Sequence, residues 1–159
     1  MFRMFNHEPE DWSCPFCRLL RGEYWGRNSQ EDIVVRHGGA SAFMALHWYP
    51  NNPGPVLVVP DAHIENLYDL PPEAGHAVHD VVQQVAIAMR RSYDCDGVST
   101  RQHNERAGSQ DVWHYHVHVI PRYHNDRFYN SSRDREPAPE QDRASYASRL
   151  RATLQAPSS

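Results

Sequence analysis

Residues 114–119 read His-Tyr-His-Val-His-Val, a strict two-residue alternation. Only an extended strand sorts such a run into two clean faces. A strand over Val112 to Ile120, stopped by Pro121, places His114, His116 and His118 on one face. Tyr115, Val117 and Val119 then form the other, apolar face, which needs a core to cover it. Same-face neighbours in a strand stand ~6.6–6.8 Å apart, so three imidazoles line up on a rigid element, as a reactive or metal-binding site needs. The chain holds 11 His in 159 residues, and a half-exposed strand using His as its polar residue is the plainer alternative. Neutral imidazole is also the commonest metal ligand, so a metal site is a further reading of the same face.

The rest of the chain supplies partners for that strand. Ile33-Val34-Val35 reads as a strand, Gly38-Gly39 as a turn, and Ala42 to Leu46 as a second strand. Tyr49 to Pro55 is dense in turn residues, and Val56 to Val59 follows as a short buried strand. Val78, Val81, Val82, Val85 and Met89 make a one-faced stripe, which predicts a helix over about Pro72 to Ser92. Gly97 to His103 reads as a strand, Asn104 to Asp111 as a polar loop, and Glu140 to Leu154 as a late helix. The order predicts an α+β fold: an antiparallel sheet of about five strands, one main helix and a C-terminal helix. A polar, loose arm is expected over residues 1–13, the domain over 14–125, and a C-terminal arm and helix over 126–159. Within the last, 126–139 reads as a mobile surface segment or a partner-contact arm.

Net charge is −4, which argues against a general nucleic-acid binder but not against one small anion in a focused pocket. No apolar run approaches the ~18–20 residues of a membrane span, and the first dozen residues lack a secretory core, so a cytoplasmic protein away from membranes is expected. Three Cys in that setting point to metal or redox chemistry before a structural disulfide. Cys14 and Cys17 have the spacing of half a tetrahedral zinc site, with His required to complete it. The alternative is a thioredoxin-like redox pair, which wants a strand before the first Cys that the polar arm does not provide. Cys95 stands alone and reads as a small buried residue.

The segment His114 to Arg122, Cys14-Pro15-Phe16-Cys17 with Arg18 to Glu23, Asn52 to Pro60 with His63, and the loop Asn104 to Asp111 together resemble the histidine-triad superfamily of nucleotide hydrolases and transferases. The matches cover about residues 14–123, and the Cys pair resembles the bacterial branch. The resemblance implies a homodimer with a purine mononucleotide pocket, contacted by Asn104, Gln110, Asp111, His116 and His118. It implies attack on the α-phosphorus by His116, with His118 on the phosphate. It also implies a structural Zn2+ held by Cys14, Cys17, His63 and His114. The outcome would be hydrolysis of nucleotidyl phosphoramidates or dinucleoside polyphosphates through a covalent nucleotidyl-histidine.

The chain departs from that pattern at three places. Asp111 stands where many members carry Ser or Thr beside the phosphate, with Ser109 a candidate replacement hydroxyl. Ala45 stands where many have Asp on the ribose, which leaves His47 as a candidate substitute. Pro55 replaces a common His after Gly54. These departures keep a second function in view, a zinc-stabilised nucleotide-binding module with little catalysis. His103 is expected to line the pocket and Arg122 to be structural. His7, His37, His76, His79 and His124 are expected at the surface.

Overall fold

The computed structural model describes residues 5–24, 26–131 and 133–157. Residues 1–4 of the expected N-terminal arm, and 132 and 158–159 of the C-terminal one, lie outside the described residues. Strands β1 (Ile33–His37), β2 (Ala40–Met44), β4 (Val56–Pro60), β5 (Gly97–Gln102) and β6 (Val117–Arg122) form one antiparallel sheet, ordered β1-β2-β4-β6-β5. A two-residue strand β3 (His47–Trp48) pairs with β7 (Glu136–Pro137) beside it. Helices are α1 (Pro15–Leu20), α2 (Pro72–Ser92) and α3 (Glu140–Gln155). The predicted α+β architecture of about five strands, a main helix and a C-terminal helix is the one observed.

Strands β4 and β5 are both antiparallel to β6, so they run parallel to each other and need a crossover. Helix α2 makes it, burying Val78, Val81, Val85, Ala88 and Met89 on one sheet face against Ala42, Met44, Val56, Val58 and Val119. Arg90 and Arg91 lie in its last turn, where they suit the helix dipole. The opposite face is covered by α1: Phe16 and Leu19 pack with Phe43, Leu57 and Val59. Both β2 and β4 are buried along their whole length, as strands sandwiched between two layers should be. Register places Phe43, Leu57, His118 and Arg101 in one row across the sheet, on the α1 side. Among the described residues, no helix is long and apolar enough to cross a membrane.

The histidine strand begins later than predicted. β6 starts at Val117 rather than Val112, so only His118 of the three lies within it. Pro60 explains the break. Asp61 N–H bonds toward β2, at Gly39 O, so Pro60 faces β6, and it has no N–H to continue the ladder. Its carbonyl accepts from the His114 ring instead, while Tyr115 N–H turns to Ile64 O and His114 N–H to Val112 O. The face assignment survives, because Tyr115 and Val119 join the α2 core. Pro121 does not stop the strand either. It pairs opposite Val98 beyond the end of β4, and Asn52 Nδ2 donates to its carbonyl where a neighbouring strand would.

Both terminal segments are better anchored than the sequence predicts. His7 and Glu8 N–H groups donate to the Glu65 carboxylate, and Trp12 packs against the α1 cluster. In the 126–139 segment, Phe128 is buried on Tyr49 and Ile120. Asp126 is buried and accepts from Arg122, Asn52 and two backbone N–H groups, which makes Arg122 structural as expected. Helix α3 docks through Arg143, buried against the fully buried Asp32 at 3.1 Å and also bonded to the carbonyls of Ala138 and Arg27.

Candidate active site and metal centre

Cys14 sits at the N-cap of α1, where its sulfur accepts from Cys17 N–H. One helical turn then brings Cys17 to the same side. His63 follows β4, and His114 precedes β6. Their donor atoms, with those of Cys14 and Cys17, all lie within 4.8 Å of one another. Cys14 Sγ is 3.3 Å and Cys17 Sγ 3.6 Å from His114 Nδ1; Cys17 Sγ is 3.4 Å from His63 Nδ1. The two Nδ1 atoms are 3.1 Å apart.

The ring protons decide what these contacts mean. His114 Nε2–H donates to Pro60 O at 2.9 Å, and His63 Nε2–H to Glu8 Oε2 at 2.7 Å. With both Nε2 atoms so engaged, the two Nδ1 atoms turn toward each other and toward the two sulfurs, a cluster of four donors that a cation would satisfy. A tetrahedral zinc with ordinary bond lengths would set S···N and N···N edges of about 3.3–3.6 Å. The donor set and its spacing fit that ion, and the carboxylate and carbonyl behind the two rings are the usual outer partners. All three Cys are free thiols, with Cys95 buried as expected.

Two residues on, the same chain builds the reactive pair. His116 Nδ1–H donates to His114 O at 2.6 Å, which directs Nε2 outward as a free lone pair. The His118 ring stands beside it, centroids 5.0 Å apart, with His103 behind at 5.7 Å. Burial, and then the adjacent His116, pushes the His118 pKa down to about 3, so it is neutral at physiological pH. The ring of Phe16 meets both His114 and His116 edge-on, so α1 braces the metal cluster and the reactive ring together. The pair opens into a cleft walled on one side by Phe16, Ala45, Leu46, Leu57 and Val112.

The other predicted residues divide. Asp111 reaches the site: Oδ1 is 3.5 Å from His116 Nε2, and Oδ2 is 3.9 Å from Arg135. The adjacent His116 ring, more than any other neighbour, holds its carboxyl well below the usual carboxylate range. Asn104 and Gln110 are not brought into the cleft. Asn104 is tied to Leu67 N–H and to the Gln102 amide. Gln110 spends its amide on Glu65 O, Val112 O and Glu105 N–H. Both fix the loop that carries Asp111. Ser109 lines the neighbouring trough with His103, as Ala45 and His47 line the cleft. His7, His37, His76, His79 and His124 are all exposed, as expected, and His7 also contacts Glu105 and the Trp113 ring. Arg135, Arg101 and Tyr49 line the same region, and sequence reasoning missed them. The β3–β7 pairing delivers Arg135, and a two-residue ladder has no periodic signal. Arg101 was legible in principle, since any register pairing β5 with the histidine strand puts some β5 side chain opposite His118.

A HIT domain family model matches residues 27–125. The protein called Protein hit of Bacillus subtilis is 32% identical over 111 residues, covering 70% of this chain and 72% of its own. Adenylylsulfatase HINT3 of Arabidopsis thaliana is 27% identical, covering 74% of this chain and 56% of its own. The crystal structure of a Zn-bound histidine triad family protein from Mycobacterium smegmatis superposes with a TM-score of 0.71 at 29% identity, covering 89% and 93% of the two chains. Taken with the histidine geometry, these matches make the chain a member of the HIT domain family.

Proposed function

We propose that this chain is a nucleotide hydrolase in which His116 Nε2 attacks the α-phosphorus of a purine nucleotidyl substrate. The observation that carries this reading is the 2.6 Å bond from His116 Nδ1–H to His114 O, which fixes the tautomer with Nε2 free. The N–P bond forms as the P–O or P–N bond to the leaving group breaks, giving a phosphoramidate. Water then attacks phosphorus, the N–P bond breaks, and the mononucleotide leaves with His116 restored. His118, neutral and adjacent, offers one N–H to a phosphate oxygen as charge develops there. Phe16, Leu46, Leu57 and Val112 supply the apolar wall that a purine ring would fill.

Cys14, Cys17, His63 and His114 would hold a structural zinc. Bound there, the ion supplies rigidity and ligand orientation rather than a reaction step. Its position ties α1 to the residue whose carbonyl orients His116, so it acts on the reactive ring through His114. Thiolates committed to zinc suit a reducing, cytoplasmic setting, and a homodimer is carried over from the family resemblance. The substrate is a nucleotidyl phosphoramidate or a dinucleoside polyphosphate. Purified zinc-loaded protein incubated with adenosine phosphoramidate and with diadenosine tetraphosphate should release AMP from at least one, and His116→Ala should abolish it. Full turnover by His116→Ala would remove the assignment. Asp111, 3.5 Å from the attacking nitrogen, supports the second reading, a nucleotide-binding module with little catalysis. That reading predicts mononucleotide binding with no AMP released by the unaltered protein.

A further inference from the structure

Beside the reactive pair, on the side away from the apolar wall, lies a second, open trough lined by Tyr49, Arg101, His103, Asp111, His118 and Arg135. Its charge is opposite to that of the chain, whose net charge is −4. Arg101 is placed there by the sheet itself. It sits directly opposite His118 in the β5–β6 register, so both side chains leave the same face. Its guanidinium lies 5.1 Å over the Phe128 ring, and among the described residues its one hydrogen bond is a long one to Tyr49 OH at 3.5 Å. Arg101 Nε is buried without a partner, and no carboxylate lies within ion-pair distance of Arg101 among the described residues. A half-buried guanidinium so poorly satisfied is costly unless something pairs with it. Arg135 enters from the far side on the segment just before β7, its guanidinium 3.9 Å from the carboxylate of Asp111. That carboxylate is itself half-exposed, and it bridges between His116 and Arg135. It thus stands where an anion from substrate would stand, as the chain's own stand-in.

We infer that this trough is a leaving-group subsite for a multiply charged oxyanion, with Arg101 and Arg135 as its specificity-determining residues and the Asp111 carboxylate as the internal ligand that substrate displaces. The inference rests on the hydrolase reading and narrows it. The apolar wall takes the base, His116 and His118 take the α-phosphate, and the group expelled from phosphorus moves between the two arginines. A phosphate-type or sulfate-type leaving group departs as an anion and needs no proton. An amine leaving group needs one, and neither neighbour is suited to give it. Asp111 is held ionised, and His118 is held neutral by burial. Guanidinium forks match the paired oxygens of such anions.

The test uses the full-length, zinc-loaded protein. Inorganic pyrophosphate and sulfate are titrated in separate arms by calorimetry, and the tighter of the two names the anion class. Arg101→Gln and Arg135→Gln should each weaken the preferred anion by about tenfold or more, as expected for losing a charge-assisted fork. Asp111→Asn should tighten it by about threefold or more, since it removes a like charge from the trough. A gain of this sign cannot come from a folding defect. The kcat/KM for diadenosine tetraphosphate should exceed that for adenosine phosphoramidate by about tenfold or more, and the ratio should fall toward one in the double arginine variant. Anion affinity that is absent in the unaltered protein, or unmoved by the arginine and Asp111 variants, overturns the inference. Anion binding by His116→Ala keeps the two readings separable: it persists if the trough is right even where turnover shows the hydrolase reading to be wrong.

Discussion

Arg143 is the residue whose loss should be felt farthest from where it sits. Its side chain is 5% exposed and pairs with Asp32, which is fully buried. It also donates to the carbonyls of Ala138 and Arg27. Those carbonyls belong to the two segments that carry Arg135 and Arg27 into the cleft. Once the guanidinium is gone, Asp32 keeps Asn28 Nδ2 and Ser29 N–H as its donors among the described residues. Removing one partner of a buried pair leaves an uncompensated charge, which typically costs about 3–5 kcal/mol. Arg143→Met preserves most of the volume and isolates that term. With a urea m-value of about 2 kcal/mol/M, the midpoint should fall by about 1.5–2.5 M. Asp32→Asn in the same background removes the stranded charge and should restore at least about 1 kcal/mol, a coupling that a double-mutant cycle reads directly. The assay is urea unfolding at pH 7 with saturating zinc in both states. A loss below about 1 kcal/mol for Arg143→Met, or strict additivity with Asp32→Asn, would refute the reasoning.

Other expectations follow from the same geometry. Metal analysis of untagged protein should find one zinc per chain, and Cys17→Ser should abolish it with a clear drop in Tm; a metal-free protein of unchanged Tm carrying a Cys14–Cys17 disulfide would favour the redox alternative. Stability should fall on acidification through His118. Its folded pKa is lowered to about 3, so between pH 6.5 and 3 only the unfolded chain takes the proton. From pH 7 to 5 that amounts to about 2 kcal/mol, visible as the difference between the unaltered protein and His118→Gln, and equal slopes in the two would contradict it. Gly54→Ala should destabilise by about 2 kcal/mol or more, because φ is +83° there and a Cβ would strike Tyr146 and Tyr93. Tyr93→Phe, which loses only the bond to Gly54 O, should cost about 1 kcal/mol.

Much of this arrangement was legible in the residues, and the unread parts share a cause. Helix α2, 21 residues long, announced itself through the stripe from Val78 to Met89, whose buried face follows from local periodicity. The triad's two faces were readable because alternation is local too. Where β6 begins was not, because that depends on Pro60, a proline on the neighbouring strand facing a ladder that the sequence does not pair. The four-residue metal cluster assembled as the resemblance implied, since capping of α1 by Cys14 fixes the spacing to Cys17. Asn104 and Gln110 were placed at the phosphate by analogy. Their amides instead meet backbone groups of a segment about 40 residues away, which no local pattern reports. Arg135 was hidden for a similar reason. Its position rests on a two-residue pairing and on Arg143, 111 positions from its partner.

The most direct measurement is to capture the reaction halfway. Zinc-loaded protein mixed with substrate and quenched in alkali within a turnover should carry one added nucleotidyl group, mapped by mass spectrometry to the peptide containing His116. Turnover with no such adduct, or the adduct on His118 or His103, would contradict the account.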